Sequence, residues 1–391
     1  MRASERWSLQ VGVLAEKTEG ERRVGLTPEC AKTLVGKGFR VLVEMGAGER
    51  AGFSDSAYKE AGAELAPNGA AICSSADIVL KVLGPADGRP DSEAASLREG
   101  SAIVSFLFPA SNLQTVQQLA ARKVTSFAMD LIPRITRAQS MDALSSMSTI
   151  AGYKGALLAA ENLPKFFPMF MTAAGTMPPA KCFIIGAGVA GLQAIATCKR
   201  LGAIVEAFDV RPAVKEQVES LGARFAEMPH VFDEAEDASG YAKEVSGDTH
   251  AKELEFIGTR IAKCDVVITT ALIPGKPAPV LITREMVHKM APGSVIVDLA
   301  ATNGGNCEAT VPGQTVFENG VKIVGSTSLL SDMATDASKM YSRNIMEFLL
   351  NLAPEGSMKL NLEDQIIHDT MVTHEGRVTH EPTRLMLEAH K

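Results

Sequence analysis

Aromatic residues make up only 5% of this 391-residue chain, with a single tryptophan, Trp7, and four tyrosines. Its six cysteines, Cys30, Cys73, Cys182, Cys198, Cys264 and Cys307, are scattered and form no C-x-x-C pair. That spacing argues against a disulfide framework or a thiolate metal site and fits reduced thiols in a cytosol-like compartment. No apolar run reaches the ~20 residues of a membrane span. The nearest, Phe166 to Ala180, is cut by Pro168, Pro178 and Pro179. The opening MRASERWSLQ has no apolar core, so no signal peptide is expected. Positive charge is not in excess: the net charge is −7, which gives no reason to expect nucleic-acid binding. Histidine is the most telling shortage. All seven histidines lie at or after His230. Hydride transfer to or from an alcohol or amine usually needs a proton acceptor, most often His. There is no H-E-x-x-H zinc helix and no G-x-S-x-G nucleophile turn.

What is present describes a globular chain of about two domains, 46% hydrophobic and 22% charged. The most specific stretch runs from Lys181 to Gly191, KCFIIGAGVAG. Cys182 to Ile185 is a short apolar run, as in a buried parallel strand. Gly186, Gly188 and Gly191 follow with G-x-G-x-x-G spacing at the mouth of a helix. The first glycine would permit a tight turn, the second the approach of a pyrophosphate, and the third close helix–strand packing. Unpaired N–H groups and the positive end of the helix dipole would face those phosphates. A second apolar run, Ile204 to Phe208, ends in Asp209, about where a carboxylate meets the 2′-hydroxyl of an adenine ribose. A lone glycine motif is weak. Strand, glycines, helix, strand and terminal acid in order predict a dinucleotide fold. Asp209 favours NAD over NADP, because a carboxylate repels a 2′-phosphate, although Arg211 close by could serve NADP.

The first ~130 residues read as alternating strands and helices, which implies a parallel sheet. Strands are expected at Val11 to Ala15, Phe39 to Glu44, Ile78 to Val82, Ala102 to Phe106 and Val124 to Ala128. Thr27-Pro28 opens a helix with a cap and a proline in its first turn, and Ser54 to Ala61 is helical. No G-x-G-x-x-G turn follows any of these strands. Leu131 to Ser148 is a polar break, and an apolar-periodic helix from Tyr153 to Phe167 leads onward. Further strands are expected at Asp265 to Thr269, Ser294 to Asp298 and Val321 to Val324. Pro229 to Ala251 is acidic, small-residue-rich and aperiodic, which suggests a mobile lid or a surface insertion. His230 and His250 in that loop, and His288 in a helix, are expected at the surface. Asp336 to Leu352 is a helix, and Leu360 to His380 forms a hairpin turning at Glu375-Gly376. The expected fold is α/β: two Rossmann-like parallel-sheet domains separated by a cleft and joined by long helices. Residues 1–145 plus 331–391 would form the N-terminal domain, and 146–330 the NAD(H)-binding domain.

At this point the residues carry a family resemblance. Glu21 to Glu29, ERRVGLTPE, resembles the opening motif shared by alanine dehydrogenase and the NAD(H)-binding component of proton-translocating transhydrogenase. Five further segments resemble the second: Pro133 to Asp142, Leu144 to Ser146, Met171 to Gly175, Gly188 to Thr197, and Thr269 to Pro279. The resemblance spans essentially the whole chain. It implies that a hydride passes from NADH bound here to NADP⁺ on a partner component, coupled to proton movement through a membrane-embedded one. Carbon-to-carbon hydride transfer between nicotinamides needs no general base, only positioning and exclusion of water. That agrees with the missing histidines.

The resemblance further implies that Arg134, Gln139, Asp142 and Ser145 form the loop beside the nicotinamide. Arg134 and Asp142 could pair, and Ser145 could hold the carboxamide. Gly186, Gly188, Val189 and Gly191 match the pyrophosphate turn, and Asp209, Val210 and Arg211 the adenosine-ribose strand end. Leu272 would cover the adenine, and Gly240 and Tyr241 would belong to a closing loop. A homodimer with NADP(H)-binding and membrane-embedded partner components is implied. So is a peripheral place at the cytoplasmic face of an inner membrane, or the matrix side in a mitochondrion. An alanine dehydrogenase is the alternative. In that family's pattern Arg23 and Lys81 would hold a substrate carboxylate, but the acid/base His falls on Phe108 and the Asp on Thr302. Arg23 and Lys81 are then expected as structural remnants or surface ion-pair members. A non-catalytic NAD(H) sensor is the third reading.

Overall fold

The computed structural model describes residues 9–85, 93–228, 247–272, 277–354 and 356–389. It divides into two compact units, residues 1–147 with 330–391 and residues 148–329. Six strands come first: β1 (Gln10–Val13), β2 (Arg40–Glu44), β3 (Glu64–Ala66), β4 (Ile78–Leu83), β5 (Ala102–Phe106) and β6 (Thr125–Ala128). A short pair follows, β7 (Phe170–Thr172) and β8 (Gly175–Met177). The second unit continues with β9 (Lys181–Ile185), β10 (Ile204–Phe208), β11 (Arg224–Phe225) and β12 (Val266–Thr269). It ends with β13 (Val295–Asp298), β14 (Thr315–Glu318) and β15 (Val321–Val324), and the chain closes with β16 (Met371–His374) and β17 (Arg377–Val378).

The first unit holds an eight-stranded sheet in the order β17-β16-β6-β5-β4-β1-β2-β3. Strands β1 to β6 run parallel, and β16 joins β6 antiparallel. The second unit holds seven strands, β11-β10-β9-β12-β13-β15-β14, parallel except for the edge strand β14. In both sheets the first strand lies beside the fourth, so each has the doubly wound order with a topological switch point there. The expected α/β fold with two parallel sheets is thus the observed one.

Alternation explains why the second sheet is buried on both faces. In β9, Cys182 and Ile184 join one apolar cluster while Phe183 and Ile185 join another. Val266 and Ile268 of β12 go with the first pair, and Val267 with the second. Successive side chains point to opposite faces, so a continuous apolar run is what a doubly covered strand requires.

Two local expectations are corrected by the fold, and one element is added. The helix expected from Tyr153 begins ten residues earlier and spans Ala143–Asn162. Within Phe166 to Ala180, for which no element was expected, Phe170 to Met177 turns back as the β7–β8 hairpin. Residues 247–251 of the supposed loop already belong to the Gly247–Ile261 helix; residues 229–246 lie outside the described ones. The C-terminal hairpin turns at Glu375 and Gly376, both with positive φ (45° and 81°), the geometry that matches strand twist.

Candidate functional site

The glycine turn joins β9 to the Val189–Arg200 helix, and its three glycines have three different surroundings. Gly186 has φ +93°, and a β-carbon there would meet Thr270 Oγ1 at 2.6 Å. Its N–H donates to the Phe208 carbonyl of the neighbouring strand (2.8 Å), which pins the turn to the sheet. A β-carbon on Gly191 would lie 1.9 Å from the Gly186 carbonyl oxygen, so helix and strand touch backbone to backbone. Gly188 is different: around its β-carbon position only Arg211 Nη2 comes as near as 4.0 Å. It precedes the helix in extended conformation, and the half-exposed Val189 is the first helical residue. Free space at the mouth of a helix, beside a guanidinium, suits an anionic group such as a pyrophosphate.

Asp209 follows β10 and is buried. Its Oδ2 accepts from the Ala187 N–H inside the glycine turn (2.7 Å) and from Arg211 Nη2 (2.9 Å). Its Oδ1 accepts from the Arg211 backbone N–H and from Nε, both at 2.9 Å. The acid thus ties the strand end, the glycine turn and Arg211 into one network. A ribose hydroxyl donating to Asp209 would have to share or replace an Arg211 contact. Val210 packs on the adjoining apolar cluster. Leu272 stands exposed after β12. Gly240, Tyr241 and His230 lie outside the described residues.

One pair near this network was missed. His250 is not a loose surface residue: it sits on the Gly247–Ile261 helix with Nδ1 3.1 Å from buried Glu253. Burial pushes the Glu253 carboxyl above its ordinary value, His250 opposes this, and the charge of Asp209 adds to the rise. The H-x-x-E spacing, one helical turn, was the signal that could have found it. His288 is exposed and bonded to Glu318 (2.7 Å), as expected of a surface residue.

The Arg134-to-Ser145 segment belongs to the first unit. Arg134 and Gln139 are exposed, and Gln139 sits on the 3-10 turn Thr136–Met141. Asp142 bonds Ser145: its Oδ1 accepts from the Ser145 N–H (2.8 Å) and its Oδ2 from the Ser145 hydroxyl (2.6 Å). Asp142 is therefore the cap of the Ala143–Asn162 helix, satisfying an N–H with no helical partner. The Asp142 carboxylate thus engages both the backbone and the hydroxyl of Ser145. Arg137 instead reaches Asp364, whose carboxyl it holds below its usual value.

Arg23 and Lys81 are not surface ion-pair members, because both are buried. Arg23 donates from Nε (2.8 Å) and Nη2 (2.6 Å) to Glu21, and from Nη1 to the Met147 sulfur (3.2 Å). Burial tends to raise the Glu21 carboxyl, but the hydrogen bonds from Arg23 outweigh it and the value ends below 4.5. Lys81 on β4 stands between Glu93 (3.1 Å) and Glu16 (3.4 Å), and Glu16 also accepts from the Val82 N–H. Glu16 lies just after β1, so the cluster sits between β1 and β4, the switch point of this sheet. In open α/β sheets that is where ligands enter. Here the chain's own carboxylates already occupy both cations. Phe108, in left-handed conformation (φ 43°), is exposed, and its N–H donates to Asp130. Thr302 is exposed and bonds Asn303. Neither can move a proton as His or Asp would.

Among the described residues no helix is long and apolar enough to cross a membrane, and no His, Cys, Asp or Glu cluster could hold a metal ion.

Two doubly wound sheets, one bearing a glycine turn and a strand-end acid, define a protein of the dinucleotide-binding fold class. The chain belongs to the alanine dehydrogenase/PNT family: the N-terminal domain model matches residues 12–151 and the C-terminal one residues 155–381. Within that family it is strongly similar to transhydrogenase subunits. It is 48% identical over 380 residues to NAD(P) transhydrogenase subunit alpha of Cereibacter sphaeroides, covering 96% of this chain and 72% of that one. It is 46% identical over 369 residues to NAD(P) transhydrogenase subunit alpha of Haemophilus influenzae, covering 94% and 71%. The solved structure of transhydrogenase from Sinorhizobium meliloti superposes with a TM-score of 0.85 at 43% identity, covering 94% of this chain and 99% of the other. An L-alanine dehydrogenase structure shares the architecture (TM-score 0.82, covering 97% and 99%) at only 25% identity.

Proposed function

We propose that this chain is the NAD(H)-binding subunit of a proton-translocating transhydrogenase, with NADP(H) bound on a partner component and proton movement through a membrane-embedded one. The single observation that carries this is the glycine turn locked to Asp209 and Arg211, in a chain without the acid/base pair of an amino-acid dehydrogenase. Bound NADH supplies a hydride, and the protein's task is to hold and orient it. Gly186 and Gly191 fix the turn, while Gly188 and the first N–H groups of the helix receive the pyrophosphate with Arg211. Asp209 takes the ribose, and Leu272, Gly240 and Tyr241 attend the adenosine end. Arg134, Gln139, Asp142 and Ser145 attend the nicotinamide end: Asp142 fixes Ser145, and Gln139 aligns the ring for transfer. An amino-acid dehydrogenase reading is disfavoured, because Arg23 and Lys81 are saturated by carboxylates of the same chain.

We propose a homodimer as well. The β7–β8 hairpin and the residue before it expose Met169, Phe170, Met171 and Met177, with Phe166 packed edge-on against Phe170 at 4.6 Å. Such an apolar patch marks an association surface, and two-fold pairing is the commonest solution. A place at the cytoplasmic or matrix face of the membrane follows from the proposed partners. The test is a mixture with an NADP(H)-binding component, NADPH and an acetylpyridine analogue of NAD⁺. Hydride exchange is expected. Its absence with a competent partner, or pyruvate- and ammonia-dependent NADH oxidation by this chain alone, would overturn the reading.

A further inference from the structure

The loop after β12 leaves the second sheet beside β9, where the strand order reverses. In such sheets ligands enter at that carboxyl end. Thr270 ties the start of the loop to the glycine turn. Its N–H donates to the Ile185 carbonyl (2.8 Å) and its hydroxyl to the Gly186 carbonyl (3.0 Å). Ala271 comes next, beyond the ladder, which ends with Thr269 paired to Ile185 and Asp298. Its backbone would have no partner there, and the Asn306 side chain takes the place of a strand. Asn306 Oδ1 accepts from the Ala271 N–H (3.0 Å), and Nδ2 donates to the Ala271 carbonyl (2.9 Å). The second Nδ2 proton goes to the Pro279 carbonyl (2.8 Å). One amide therefore holds both ends of the loop from Ala271 to Pro279. Only one orientation of that amide serves all three bonds, since turning it over sets N–H against N–H and oxygen against carbonyl.

Asn306 is itself held from both sides. Its backbone carbonyl accepts from Leu281 (2.8 Å) and Ile282 (3.0 Å), and the next N–H, of Cys307, donates to buried Asp298 (3.0 Å). Asn306 is fully buried, so no bound molecule touches it. What it controls is the residue after Ala271, the exposed Leu272. We propose that Asn306 is a positioning residue for the adenosine end of the nucleotide. It sets the course of the loop before the nucleotide arrives, so that Leu272 is presented without an ordering cost at binding. This rests on the NAD(H) reading of the glycine turn and adds to it a residue far along the chain from that motif.

The test titrates AMP, the adenosine half alone, and NADH against wild type and Asn306→Asp. The variant keeps the shape of the side chain but has no N–H to give, so the Ala271 and Pro279 carbonyls lose their donor. Both ligands should bind about tenfold more weakly or worse. In single-turnover transfer to the NADP(H) component, half-saturation should move to about tenfold higher NADH while the maximal rate falls less than about twofold, because the nicotinamide end is untouched. Equal falls in both would overturn the proposal. So would a lowered Tm with AMP and NADH affinities intact in the folded variant, which is what a purely structural asparagine would give. Hydrogen exchange on wild type decides the matter if the variant does not fold. The Ala271 amide should be protected in the free chain and remain so with AMP. Rapid exchange in the free chain, with protection appearing only on AMP binding, would overturn the proposal. Wild type that binds neither ligand would instead overturn the NAD(H) reading, and the role of Asn306 with it.

Discussion

At Gly191 a β-carbon would sit 1.9 Å from the Gly186 carbonyl oxygen, whereas at Gly188 it would have room. The same substitution should therefore fail in two different ways. Gly191→Ala forces helix and strand apart and is expected to lower Tm, as overpacking of about 1–3 kcal/mol does. Gly188→Ala should leave Tm nearly unchanged yet weaken NADH binding at least about tenfold, because the methyl group fills the space a phosphate needs. Calorimetry and fluorescence titration of both variants check this, and the reverse pattern would contradict the assignment. Asp209 adds a third case. Removing its carboxylate deletes hydrogen bonds to a ribose and releases Arg211. Asp209→Ala should weaken NADH by about 1–3 kcal/mol and narrow the preference over NADPH, since a freed guanidinium can meet a 2′-phosphate. Unchanged NADH affinity would count against the ribose role.

At the scale of elements, the buried ions of the first unit give the clearest prediction. Lys81 is held between Glu16 and Glu93 where β1 and β4 meet. Lys81→Met leaves buried Glu16 without a counter-charge and Glu93 with only the exposed Lys17 (3.3 Å), and it is expected to cost about 3–5 kcal/mol, measured by denaturant unfolding. Glu21 offers a pH test. Its carboxyl lies below 4.5 in the folded chain, so its stabilising effect is present above that ordinary value and is lost as pH falls through the folded one. The Tm gap between wild type and Glu21→Gln should be widest at neutral pH and close in acid; a gap independent of pH would refute the linkage. Such ion pairs were not legible in the sequence, because Glu16, Lys81 and Glu93 are brought together only by strand order. The 186–191 turn was legible, since each glycine answers to neighbours a few residues away or to one adjacent strand. Asp142 misled in an instructive way. Read as a partner of Arg134, it hid the cap signal of the Ala143–Asn162 helix, which starts one residue later. The β7–β8 hairpin was masked by the prolines on either side of it.

For the molecule as a whole, the consequence of lacking an acid/base pair is that rate should depend on alignment alone. A dehydrogenase variant that loses its base shows a changed pH profile. Here no described group at either end of the proposed site is asked to gain or lose a proton, so alignment and pH dependence should separate. Gln139 is exposed on a short 3-10 turn, and its substitution should leave the core intact. Gln139→Asn shortens the side chain by one methylene, which is enough to misplace a partner by about 1 Å and slow transfer about a hundredfold. NADH affinity should change far less, because the turn at Gly186 to Gly191 and Asp209 supply most of the binding. Stopped-flow single-turnover exchange with the NADP(H) component measures the first quantity, and equilibrium titration the second. Equal losses in both would mean that Gln139 binds rather than aligns. A new pH dependence in the variant would mean that a proton is transferred after all.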